Sequence, residues 1–114
     1  MKINELKELL SARLLTCPNQ GEQPLSTAYA GDMLSDVLAL GAAPDVLLTG
    51  LLNPQVIRTA EMLDTACVVF VRDKAPTEAM LALAEKSGIC VLVTGMEMYP
   101  ACGQLFSHGL AGLQ

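Results

Sequence analysis

Along this chain, short unbroken apolar runs alternate with longer stretches in which apolar residues recur every three or four positions. The runs predict strands buried on both faces, and the periodic stretches predict amphipathic helices. Leu6, Leu9 and Leu10 mark a first short helix, and Arg13-Leu14-Leu15-Thr16-Cys17 follows as an edge strand. Pro18 to Pro24 is dense in turn formers and reads as a surface loop. Leu25 to Ala30 is a further strand running into Gly31-Asp32, where Asp32 stands at the N-cap of a helix that carries Leu34, Val37 and Leu38 and stops at Gly41.

The alternation then repeats. Asp45-Val46-Leu47-Leu48-Thr49 is a buried strand, Asn53-Pro54 supplies an N-cap with proline at the first helical position, and Val56, Ile57, Ala60 and Leu63 recur at helical spacing. Cys67 to Val71 is the next strand, and Arg72-Asp73-Lys74-Ala75-Pro76 turns into a helix through Met80, Leu81 and Ala84 that Gly88 closes. Ile89 to Thr94 is the last strand, and the last helix runs to about His108 with Gly109 as its stop. Apolar strands separated by helices predict an α/β protein: three layers, α/β/α, around a mostly parallel sheet of about five strands. The segment before Tyr29 is free to join this sheet antiparallel at an edge.

A length of 114 residues predicts one domain, residues 1–114. Composition sharpens the picture, because 52% hydrophobic against 17% charged residues is more apolar than a small monomer's wetted surface requires. Either the core is large for the chain, or an apolar face meets a partner. A membrane span needs about 18 or more apolar residues, and the longest runs here are strand-sized. The N-terminus interleaves charges with apolar residues and lacks a secretion signal's apolar core, so a cytoplasmic protein is expected. A net charge of -5 without any Lys/Arg cluster argues against nucleic acid as a partner.

Chemistry has few places to sit. Thr49-Gly50 and Thr94-Gly95 each end a strand, and each is followed by a proline near a helix start. In a parallel sheet both turns lie at the carboxyl edge, where open α/β folds bind ligands. Arg72 and Lys74 reach the same edge, as do Gly31, Asp32 and Asn53, so these nine residues form the candidate ligand site. Glycine admits close backbone approach, and helix N-termini present N–H groups to an anion. The alternative is that Thr and Gly here only make turns and caps. No Gly-x-x-x-x-Gly-Lys or Gly-x-Gly-x-x-Gly is present.

Other groups offer less. His108 is the only histidine, and no serine or cysteine is matched to it by a recognisable motif. Asp32 and Asp36 lie four apart and supply two metal ligands on one helix face, or a cap and a solvated carboxylate. Cys17, Cys67, Cys90 and Cys102 contain no Cys-x-x-Cys pair and read as reduced thiols, with an iron–sulfur or redox pairing of Cys67 and Cys90 as the alternative. No catalytic residue, metal or cofactor is assigned.

From Tyr29 through Leu110 the order of elements and several local words resemble the DRTGG domain, a small α/β module similar to the N-terminal domain of HPr kinase. The residues that carry the resemblance are Tyr29, the helix opening Asp32-Met33-Leu34-Ser35-Asp36-Val37, Thr49 with Pro54, and Thr94, Tyr99, Gly103, Leu105 and Gly109. The name motif is degenerate: the segment reads Gln23-Pro24-Leu25-Ser26-Thr27-Ala28, with Thr27 and Ala28 where the family has two glycines. The resemblance implies a non-catalytic accessory domain, found with CBS pairs, phosphotransacetylases or pyrophosphatases or alone, and homodimeric. Two readings of function result. One is a homodimeric regulatory module that senses a small anionic or nucleotide-like ligand at the carboxyl edge. The other is a structural interaction domain that docks a larger protein partner.

Overall fold

The computed structural model describes residues 1–113. Its elements are α1 (Ile3–Leu9), β1 (Arg13–Leu14), a 3-10 turn (Pro18–Gln20), β2 (Ala28–Ala30), α2 (Leu34–Leu38), β3 (Val46–Thr49), α3 (Pro54–Leu63), β4 (Cys67–Phe70), α4 (Glu78–Ser87), β5 (Cys90–Val93) and α5 (Met98–Ser107). The strands form one sheet in the order β1-β5-β4-β3-β2. β2 through β5 are parallel, and β1 runs antiparallel along β5 at the far edge. This is the three-layer α/β/α arrangement that the sequence pattern predicts.

The alternation of side chains along each strand divides the core in two. Leu47, Val68, Phe70, Val91 and Val93 face α2, α3 and α4, where Val37, Val56, Ile57, Ala60, Met80 and Ala84 cover them. Val46, Leu48, Cys67, Val69, Cys90 and Leu92 face the other way, against Ile3 and Leu6 of α1 and Ala101 and Leu105 of α5. Every residue of β3, β4 and β5 is buried, which is why those strands read as unbroken apolar runs. Asn53 caps α3 by accepting the Gln55 N–H at 2.8 Å, with Pro54 at the first helical position, and Gly88 closes α4 at φ +73.

Three boundaries differ from the sequence reading, and in each a side chain takes over backbone bonding. β1 is two residues long, although the strand was expected to reach Cys17. Beyond it the Thr16 hydroxyl donates to the Ile89 carbonyl at 2.6 Å and accepts the Val91 N–H at 2.8 Å. Those two bonds stand in for the ladder until Cys17, at φ +52, turns the chain away. β2 starts at Ala28 instead of Leu25, because the Asp45 carboxylate accepts the N–H groups of Ser26 and Thr27 at 2.6 and 3.2 Å. Asp32 is not the cap of α2: Met33 occupies the N-cap position and supplies no side-chain bond.

Thr16→Val keeps the shape of this buried residue, leaves the Val91 N–H unpaired and leaves the Ile89 carbonyl only the weaker Cys17 thiol donor at 3.5 Å. A loss of about 1–3 kcal/mol in urea unfolding is expected; an unchanged midpoint would show that the hydroxyl does not hold this edge.

Candidate functional site

Asp32 is diverted from its helix because its carboxylate spans to the neighbouring strand. Oδ1 accepts the Gly50 N–H at 2.7 Å and the Thr49 hydroxyl at 3.1 Å, tying the end of β2 to the end of β3. The Thr49 hydroxyl in turn accepts the Leu51 N–H at 3.1 Å, so the proton and one lone pair of this buried side chain are engaged within the turn. Asp32 therefore does not share a helix face with Asp36, and the two-carboxylate metal reading fails on geometry.

Gly50 is a position where a side chain would take the space that the end of Arg72 occupies. A Cβ built there falls 2.1 Å from Arg72 Nη2 and 3.5 Å from Asp32 Oδ2. The Arg72 guanidinium thus lies directly over the Gly50 backbone while its side chain stays 41% exposed. Its own backbone is unusual, since Arg72 and Asp73 both adopt positive φ, +61 and +56. Conformations of this kind cost on the order of 1 kcal/mol or more each and persist where neighbours hold them. Here the Arg72 N–H donates to the Met96 carbonyl and the Asp73 N–H to the Thr94 carbonyl, both at 2.8 Å. Two exposed ion pairs flank the turn, Arg72 with Glu97 at 3.9 Å and Arg13 with Asp73 at 3.8 Å.

Thr94 is placed differently from Thr49, and register is the reason. Thr49 is aligned with Phe70 and Phe70 with Val93, so Thr94 lies one residue beyond the row that contains Thr49. One residue of offset turns a side chain to the opposite face. The Thr94 hydroxyl accordingly donates to the Leu10 carbonyl behind α1 at 2.6 Å and accepts the Met96 N–H at 3.2 Å. The two Thr-Gly turns share the carboxyl edge and open to different sides of it. Gly31, Asp32, Thr49, Gly50 and Arg72 form one corner. Thr94 and Gly95 belong to another, Asn53 is engaged as a helix cap, and Lys74 is exposed beyond the strained turn.

His108 ends α5 in an exposed position and its Nδ1–H donates to the Gln104 carbonyl at 2.8 Å, so that nitrogen has no lone pair for the Ser107 hydroxyl 3.4 Å away. Cys67 and Cys90 are register neighbours in the sheet and all four thiols are free. Burial pushes the Cys90 thiol up to about 12 and holds Cys67 well above the ordinary value, while burial followed by the Glu85 carboxylate raises Cys17. Such thiols stay protonated and are poor metal ligands or nucleophiles. Among the described residues no three of His, Cys, Asp and Glu are grouped to hold a metal ion, and no helix is long and apolar enough to cross a membrane.

A feature that the strand-and-helix reading does not isolate is the outer side of α5. Tyr99 is 89% and Phe106 76% exposed, and Cys102 and Gly103 lie between them. Beside Phe106, an apolar cleft of about 120 Å³ opens toward β2, lined also by Ala28, Tyr29, Leu48 and Leu110. The sequence does carry its signal: from Met98 to Gln114 there is no Asp, Glu, Lys or Arg.

With fold and edge defined, the protein falls in the class of three-layer α/β modules with a five-stranded, mostly parallel sheet. Its fold matches a chain comprising the CBS and DRTGG domains of the regulatory region of Clostridium perfringens pyrophosphatase, solved in complex with its activator, diadenosine tetraphosphate. The TM-score is 0.77 at 13% identity, and the match covers 99% of this chain and 51% of that one, so the protein spans about half the length of the chain it matches. No family model and no curated protein matches the sequence.

Two outcomes test the geometry. Asp32→Ala, which strands a buried N–H and a buried hydroxyl, is expected to cost about 1–3 kcal/mol in chemical denaturation, and Asp32→Asn distinctly less because the amide oxygen still accepts. An equal cost for both variants would mean that the acceptor role is not what matters. For the thiols, a folded-state value raised above 9 means that the stabilisation is complete below pH 9 and declines as pH climbs toward 12. Unfolding midpoints should fall over that alkaline range, and iodoacetamide should label Cys102 in the native protein while sparing Cys17, Cys67 and Cys90. Rapid native labelling of Cys90 would contradict this.

Proposed function

We propose that the protein is a non-catalytic regulatory module that takes a small anionic, nucleotide-like ligand at the corner formed by Asp32, Gly50 and Arg72, and that works as a homodimer. The observation that carries this reading is the Arg72 guanidinium laid over the Gly50 backbone, in space that any Cβ at that position would take, and partly exposed at the carboxyl edge. An Arg fork with accessible N–H groups suits phosphate oxygens, and Glu97 at 3.9 Å is too loose a partner to saturate it. Met33 and Leu52, both exposed beside this edge, offer apolar surface to a base. The regulatory region that shares the fold was solved with a nucleotide activator, which makes nucleotides the first class to test.

Thermal unfolding with diadenosine tetraphosphate, ATP, AMP and inorganic phosphate is the direct test. A ligand at about 100 times its Kd adds about 2.7 kcal/mol, a rise of roughly 10 °C for a chain this size. Arg72→Ala should abolish the rise. Gly50→Ala should weaken it while leaving the unliganded protein folded, since the added methyl displaces the flexible end of Arg72. No shift with any of these anions would remove the ligand half of the reading and leave a structural interaction domain, the alternative favoured by the exposed aromatic face of α5.

A further inference from the structure

We infer that the outer face of α5 is the surface on which two copies of this chain meet, through an antiparallel crossing of the two α5 helices centred on Cys102 and Gly103. The inference rests on the homodimer reading above and assigns its interface. The chain has only two tyrosines and two phenylalanines, and one of each, Tyr99 and Phe106, stands in solvent on this one helix. Large aromatic side chains left in water on one face mark contact surfaces.

Gly103 supplies an independent reason. It sits inside a ten-residue helix, with no positive φ, and a Cβ built on it meets nothing within 4 Å. Nothing within the monomer requires glycine there, and glycine weakens a helix relative to alanine. A helix backbone approaching from outside does require it. Tyr99 and Phe106 stand about one turn to either side of the Cys102-Gly103 pair, so a two-fold crossing at that pair sets Tyr99 against the partner's Phe106 and Phe106 against the partner's Tyr99. The apolar cleft beside Phe106, about 120 Å³, is of a size to take part of an aromatic ring.

Charge identifies the occupant as a second copy. The chain carries a net charge of -5, so two copies repel wherever charged faces meet. An isologous contact sets each patch against itself, and any charge near the axis faces its own sign. The stretch from Met98 onward has no Asp, Glu, Lys or Arg, and its one histidine, His108, lies beyond the last turn of α5, so the centre of α5 meets its own image without that penalty. A strongly charged partner would find nothing on this face to complement.

Analytical ultracentrifugation of the full chain at micromolar concentration tests the inference. The wild type should sediment as twice the 12.0 kDa chain mass. Gly103→Leu and Phe106→Glu should each raise the dissociation constant about 30-fold or more, with far-UV circular dichroism unchanged because both positions are exposed. A short bis-maleimide should cross-link the wild type through Cys102, since Cys17, Cys67 and Cys90 are buried, and should fail on Cys102→Ser. A wild type that stays monomeric overturns the interface together with the homodimer reading. A dimer indifferent to both substitutions and refractory to the cross-linker overturns the α5 interface alone.

Discussion

The rest of the structure depends on one topological constraint: four parallel strands laid down in consecutive order, β2-β3-β4-β5, have all three connecting helices on the same face. Strands lie about 4.8 Å apart and helices are about 10 Å across, so three helices cover that face fully. The opposite face is just as apolar and has no crossover to cover it. That work falls to α1 and α5, from the two ends of the chain, with β1 and the loop after it drawn along. Two helices do not quite span five strands, and the gap appears beside β2 as the apolar cleft under Phe106.

Register exerts a second control, at the carboxyl edge. Because the Thr-Gly turn after β5 begins one residue past the row in which β3 ends, chemically matching Thr-Gly turns are directed to opposite faces, and only one of them meets Asp32 and Arg72. Consecutive strand order also means that the winding never reverses between β2 and β5. The crevice of doubly wound sheets, which opens at such a reversal, has no counterpart there. What the edge has instead is a surface corner, assembled from one carboxylate that bridges two strands and one guanidinium held by a strained turn.

Much of this was legible in the sequence, and the failures are instructive. The fully buried strands β3, β4 and β5 announce themselves as apolar runs because they are covered twice, and α3 and α4 carry proper caps in Asn53 and Thr77. β1 and β2 were overextended because hydroxyl and carboxylate groups of Thr16 and Asp45 imitate the ladder without being part of it. Asp32 looks like a cap from local spacing alone, and its real partners, Thr49 and Gly50, are distant in sequence. The segment Thr27-Ala28, which stands where the DRTGG pattern has two glycines, lies at the amino end of β2, opposite the Asp32 corner. That separation detaches the degenerate motif from the candidate site.

The corner and the α5 face are neighbours through a single residue. Glu97 pairs with Arg72 at 3.9 Å and is also the N-cap residue of α5, two positions before Tyr99. Both side chains are substantially exposed, 41% for Arg72 and 69% for Glu97. Exposed pairs of this kind contribute about 0–1 kcal/mol, so whatever passes between the corner and the helix through them is limited to roughly a fivefold change in affinity at either end. A stronger coupling would need to travel through backbone, and among the described residues the direct backbone links from this turn are the two bonds from Arg72 and Asp73 to the carbonyls of Met96 and Thr94. Those bonds hold the turn in its strained conformation, so a ligand that moved Arg72 as a whole, rather than its side chain alone, would have to break the attachment that positions the start of α5.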